Sequence, residues 1–180
     1  MPQGAPRPAG TLADARADLN VYWHEDPIAT QHLDNLARYG DRVRGSLTGS
    51  ENLGTRVSCH EAFGRGAIDV AHFNMACTGG LTEGRKLAAL ADNFERAIVP
   101  HDCTGPGLLV ANTHQVFAAE NALILRTVRA HDRRYCCGPV TRAAADRARL
   151  ACPMDGAGLG ATLRPELRSR SDVAIRRSSS

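Results

Sequence analysis

Five polar residues of types that do chemistry recur at near-even spacing along this chain: Glu25, Glu51, Asn74, His101 and Arg126. The steps between them are 26, 23, 27 and 25 residues. Each comes with a short predicted strand: Val21-Tyr22-Trp23 before Glu25, the weaker Gly45 to Gly49 before Glu51, Ile68 to Phe73 before Asn74, Ile98-Val99 before His101, and Ala122 to Val128 around Arg126. One strand plus one helix takes about 25 residues, the repeat of an α/β barrel, and residues at the C-terminal strand ends of such a fold project together into its mouth. Glu25 or Glu51 taken alone reads better as an ordinary polar residue after a strand. The stepped set reads as one constellation: two carboxylates, an amide, an imidazole and a guanidinium.

The elements that must position this set follow from periodicity. Thr30 to Arg44 is predicted helical, with Leu33, Leu36, Ala37 and Val43 as its buried stripe. A short helix is predicted over Thr55 to Phe63. Ile68 to Phe73 is a strand, Thr78-Gly79-Gly80 breaks the chain, and Leu81 to Phe94 carries apolar residues at helical spacing. Ile98-Val99 then stops at Pro100, completing a βαβ unit, which requires parallel strands. Leu108 to Ala119 reads as the next helix and Ala122 to Val128 as the next strand. The predicted fold class is α/β, a partial (β/α) barrel with outer helices. Residues 1–10 are expected to be loose, residues 11–135 to form the partial barrel, and residues 136–180 to form a closing segment with an Arg-rich tail.

Composition narrows the function classes. At 180 residues the chain can bury one core but falls short of a whole eight-fold barrel, which takes ~250 residues. The 22 basic residues against 19 acidic ones leave a net charge of +3, and Lys86 is the only lysine. The one dense basic patch, Arg164 to Arg177, reads as a solvated tail, so no nucleic-acid partner is expected. No apolar run has the length of a membrane span and the N-terminus carries no charged-then-apolar signal, so no membrane partner is expected and the location is expected to be cytoplasmic. Six cysteines, with Cys136 and Cys137 adjacent, show no paired C-x-x-C spacing and read as reduced thiols.

Four motifs, in order, carry a family resemblance: Trp23-x-Glu25-Asp26-Pro27, Ser50-Glu51-Asn52-Leu53-Gly54-Thr55-Arg56, Thr78-Gly79-Gly80-Leu81-Thr82-Glu83 and Pro100-His101-Asp102-Cys103-Thr104-Gly105-Pro106. The chain resembles the enolase superfamily, in the branch of the mandelate racemase and muconate-lactonizing enzymes, which includes acid-sugar dehydratases. The resemblance runs from about Thr11 onwards and covers roughly barrel strands four to eight. Asp155 to Gly160 and the Arg-rich end are similar to the family's closing segment. The resemblance implies proton abstraction next to a carboxylate, through an enediolate stabilised by Mg²⁺, on a sugar acid or another carboxylate substrate. It places Glu25 and Glu51 as metal ligands and His101 as general base, paired in the family with an Asp on the preceding strand.

The chain departs from that pattern in four ways. A further step of about 25 residues back from Glu25 falls at or before Met1, so the first metal ligand and the N-terminal half are expected to lie elsewhere. Asn74 stands where the dyad Asp is expected, with its amide oxygen available to accept from the His101 ring. Arg126 stands where a Glu is expected, a cation that should oppose both Mg²⁺ and a protonated His101. His72 shares a face with Asn74 by strand parity and reads as a core histidine rather than a ligand. His24 points to the face opposite Glu25, and His32, His60, His114 and His131 follow no ligand spacing. Two readings stay open: a portion of a Mg²⁺-dependent acid-sugar dehydratase or racemase, or a non-catalytic remnant or assembly module of the same fold. An open barrel piece leaves strand edges bare, so self-association is expected.

Overall fold

A computed structural model of the chain describes residues 14, 15, 17–128, 138–141 and 151–176. The loose first ten residues and the Cys136-Cys137 pair expected from the sequence lie outside them. Four short parallel strands, β1 (Trp23–Glu25), β2 (Ser46–Gly49), β3 (Val70–Ala71) and β4 (Ala97–Ile98), form one sheet in the order β1-β2-β3-β4. Their register pairs Glu25 with Thr48, Thr48 with Val70, and Val70 with Ala97. Spatial order that follows chain order marks a singly wound, barrel-type sheet; a doubly wound sheet would reverse direction at a switch point.

Helices fill the connections. They are α1 (Leu33–Gly40), α2 (Arg56–Gly64), α3 (Met75–Thr78), α4 (Leu81–Asn93) and α5 (Pro106–Ala118). Helix α1 is shorter than the predicted Thr30 to Arg44; its buried Leu36 and Tyr39 pack with Ile28, Leu47 and Ala67, and Leu33, Ala37 and Val43 support them. Helix α2 is capped by Thr55, whose hydroxyl accepts the Ser58 N–H at 3.1 Å, the usual way to satisfy an orphan donor of a first turn. Helix α3 is too short for periodicity to reveal. It ends at Gly79 (φ 106°) and α4 begins after Gly80 (φ 84°), two left-handed positions that glycine reaches at little steric cost. The main core lies between the sheet and α2, α4 and α5, built from Phe63, Ile68, Phe73, Met75, Leu87, Ile98 and Leu108.

The expected fifth strand, Ala122 to Val128, is reduced to a single parallel bridge between Ile98 and Ala122. Leu123 N–H still donates to the Ile98 carbonyl at 3.0 Å, and the Asn121 amide clamps the segment by donating to the carbonyls of Ala88 and Arg96. Beyond Ala122 no described strand pairs with the segment, and Leu123 and Ile124 are exposed. They line an apolar groove with Tyr22 and Trp23 of the opposite edge. Nearer the C-terminal end, Val140 bridges Leu163 in antiparallel fashion, and Met154 to Gly160 is irregular, as expected. No helix among the described residues is long and apolar enough to cross a membrane.

Candidate functional site

The five stepped residues all arrive at one end of the sheet. Glu25 is the last residue of β1, Glu51 lies two residues past β2, Asn74 caps α3 just beyond β3, His101 follows β4, and Arg126 comes in on the segment after the Ala122 bridge. The turn to Glu51 runs through buried Ser50, a non-glycine residue at φ 88°, whose hydroxyl accepts the His72 N–H at 3.0 Å. Such left-handed residues persist where the surroundings over-determine them, and they cluster at functional sites. His101 is held through its backbone, its N–H on the Phe73 carbonyl and its own carbonyl on the Asn112 amide.

Asn74 decides the state of His101, and in the opposite sense to that expected from the sequence. Its Oδ1 does not face the imidazole: it accepts the Ala76 N–H at 2.9 Å as the cap of α3. That contact fixes the amide, because a backbone N–H can only donate. The Nδ2 end is therefore turned to His101 Nδ1 and to the Thr104 hydroxyl, each at 3.2 Å. An amide N–H beside Nδ1 requires that nitrogen to be the acceptor, so the ring proton of neutral His101 sits on Nε2. Nε2 lies 2.8 Å from Glu51 Oε2 and donates to it. Burial holds the proton affinity of His101 below the usual imidazole range, with Glu51 raising it and Arg126 lowering it.

His72, read from the sequence as a core residue, is buried at 1% exposure and also lines the site. Its ring packs edge-on against His101 at 4.9 Å. Its Nε2 lies 2.7 Å from Arg126 Nη1, and since a guanidinium only donates, His72 is neutral and accepting. Burial, reinforced by Arg126 and His101, brings its pKa down to about 3. Strand parity had the face right; the partner 54 residues away was not visible in the sequence. Arg126 Nη1 also lies 2.6 Å from Glu25 Oε1. Asp26, next to Glu25 at φ 41°, has its carboxyl pushed up to about 6 by burial and by Glu51 and Glu25, against a smaller lowering by Arg126.

One donor atom each from Glu25, Glu51 and His72 lies within 4.8 Å of the others, close enough to converge on a single cation. Magnesium, however, asks for oxygen ligands in a near-ideal octahedron. Here one of the three donors is a nitrogen, and Arg126 Nη1 already engages both Glu25 and His72. With the guanidinium in that place, the residues do not fit Mg²⁺. Three other described histidines have partners elsewhere: His24 bonds the Arg44 carbonyl and the Tyr39 hydroxyl, His60 packs on Phe94, and His114 meets the Leu159 carbonyl; His131 lies outside the described residues.

A family model described as Enolase C-terminal domain-like matches residues 5–167. The chain belongs to that family. Among its relatives, an arabinonate dehydratase of Saccharolobus solfataricus is 28% identical over 116 residues, 64% of this chain and 31% of the relative. A D-galactarolactone cycloisomerase of Agrobacterium fabrum is 32% identical over 109 residues, 61% of this chain and 29% of the relative. Among solved structures, an enolase of the mandelate racemase subgroup from Agrobacterium tumefaciens superposes with a TM-score of 0.82 at 34% identity, covering 90% of this chain and 44% of that one. An enolase protein from Sargasso Sea environmental sequencing gives 0.85 at 32% identity, over 96% of this chain and 46% of that one. The chain thus spans less than a third of these curated relatives and less than half of these solved chains.

Proposed function

We propose that the mouth formed by Glu25, Glu51, His72, His101 and Arg126 is an acid-sugar site, built to receive a sugar-acid carboxylate and to set His101 near the adjoining carbon. The convergence of these side chains at one end of a barrel-type sheet carries the reading, supported by the sugar acids and sugar lactone that the relatives' names give as theirs. The reaction class is proton transfer at the carbon next to the carboxylate, with His101 as the proton-handling group. The hydrogen bonding at Asn74 favours binding over turnover. A base must offer a lone pair at Nε2, and here Nε2–H donates to Glu51. The chain therefore binds acid sugars and exchanges their α-proton slowly.

The test uses the full chain. Titration with galactonate and arabinonate, with the matching uncharged sugar alcohols as controls, is expected to show saturable binding that requires the carboxylate. In D₂O, proton NMR is expected to show α-proton exchange above the buffer rate but slow. Equal binding of acid and alcohol, or no binding of either, would sink the reading.

A further inference from the structure

We propose that Arg126 is a tethered cation standing in the place of the metal ion, so that the site takes a carboxylate without a divalent cation. Three side chains that could share an ion, Glu25, Glu51 and His72, converge here. Two of them already engage one nitrogen: Arg126 Nη1 is 2.6 Å from Glu25 Oε1, 2.7 Å from His72 Nε2 and 3.4 Å from His72 Nδ1. A guanidinium keeps its charge at every accessible pH and cannot act as an acceptor, so it holds His72 in the accepting form without competition from a proton of its own.

Arg126 is also attached. The Asn121 clamp on the Ala88 and Arg96 carbonyls, with the Leu123 bond to Ile98, fixes the backbone from which it reaches. A tethered group competes at an effective concentration of about millimolar or more, well placed against a free ion in dilute solution. The Arg126 side chain remains 30% exposed, as does Glu25 at 31%, so the guanidinium faces the open mouth as well as its partners. A planar guanidinium is suited to a carboxylate, which it can meet through two parallel hydrogen bonds. The carboxylate as ligand rests on the acid-sugar reading above; the displacement of the metal does not, and it is tested with metal alone.

The experiment follows Mn²⁺ by electron paramagnetic resonance, in which the free hydrated ion gives the signal that binding removes. The full chain is compared with Arg126→Gln and Arg126→Ala, each checked by circular dichroism and melting. The parent is expected to leave Mn²⁺ free up to on the order of 1 mM, and the folded variants to bind it at least about tenfold more tightly. Mn²⁺ is expected to raise the melting temperature of the variants only. Methylguanidinium should displace Mn²⁺ from Arg126→Ala by refilling the space. Saturable Mn²⁺ binding by the parent that Glu25→Gln or His72→Gln abolishes would overturn the proposal, whether or not the Arg126 variants fold. So would folded Arg126 variants that gain no binding. If neither variant folds, the parent titration decides alone, with no binding as the supporting result. Loss of acid-sugar binding by the parent, with these metal results intact, would remove the ligand class and leave the tethered cation standing.

Discussion

Replacing Asn74 by Asp should invert the protonation of His101 without moving the backbone. One carboxylate oxygen would keep the Ala76 N–H that Oδ1 now accepts. The other would stand where Nδ2 is, 3.2 Å from His101 Nδ1 and from the Thr104 hydroxyl. A carboxylate offers only lone pairs, so Nδ1 must carry a proton and Nε2 becomes free to act as base, or both nitrogens are protonated. In the parent, the Nδ1–H tautomer would set N–H against N–H at Asn74 and a lone pair against Glu51 at 2.8 Å. Losing a charge-assisted hydrogen bond and a neutral one costs about 3 kcal/mol, which keeps that tautomer below roughly 1%. Long-range ¹H–¹⁵N correlation on histidine-labelled chain, with His101→Gln to assign the ring, reads the tautomer directly. The parent is expected to show a bare Nδ1 and a protonated Nε2, and Asn74→Asp a protonated Nδ1. The rate of α-proton exchange should rise in the variant, with about 10⁴ as a ceiling from the effect of the comparable change in a serine-protease triad. A parent ring protonated on Nδ1, or a variant ring identical to the parent, would refute the reasoning.

Stability should fall modestly on acidification, as the balance of two opposed groups. His72 stays neutral in the fold down to about 3, while the unfolded chain takes up its proton below the ordinary 6.5. The unfolded state then binds more protons, and going from pH 7.5 to 5 removes about 2 kcal/mol of stability through His72. Asp26 works the other way, because the fold holds its proton up to about 6 against an ordinary 3.8; after discounting for solvent screening it returns roughly 1 kcal/mol over the same interval. Urea unfolding at the two pH values should show a net loss of about 1 kcal/mol in the parent, steepening in Asp26→Asn; an unchanged pH slope in that variant would contradict the balance. We also propose that the chain self-associates through the apolar groove of Tyr22, Trp23, Leu123 and Ile124, which joins both open sheet edges. Sedimentation should show concentration-dependent assembly that Ile124→Lys reduces, and a monodisperse monomer would count against it.

Much of the fold was legible because its signals are local. The predicted helix Leu81 to Phe94 is α4 with Phe94 as its C-cap, since Gly79 and Gly80 mark its start and the buried Leu87, Ala88 and Ala91 mark its face. Glu25, Glu51 and His101 could be placed because strand ends of parallel sheets face one way. Other features depend on contacts that no window of sequence contains. Helix α3 spans only Met75–Thr78, yet its Ala76 N–H turns the Asn74 amide and so sets the His101 tautomer. The strand predicted over Ala122 to Val128 has the right composition, but pairing stops at Ala122 where no further described strand meets it.

Asn74 and Arg126 make more sense together than as separate lapses from the pattern that the family resemblance implies. Asn in place of Asp removes one negative charge from the mouth; Arg in place of Glu removes another and adds a positive one. The mouth thereby gains at least the positive charge that a divalent ion would have brought, and the nitrogen that supplies it sits on Glu25 and His72, two of the three donors that could share an ion. Neutral His72 and the Nε2–H form of His101 follow from the same arrangement, each ring turned by its neighbour into the role the surrounding charges allow: an acceptor towards Arg126, a donor towards Glu51. Random loss of a catalytic apparatus has no reason to leave its carboxylates and imidazoles paired. A site rebalanced around a fixed guanidinium does, and its charge pattern remains suited to a carboxylate ligand even as the proton chemistry at His101 is held back.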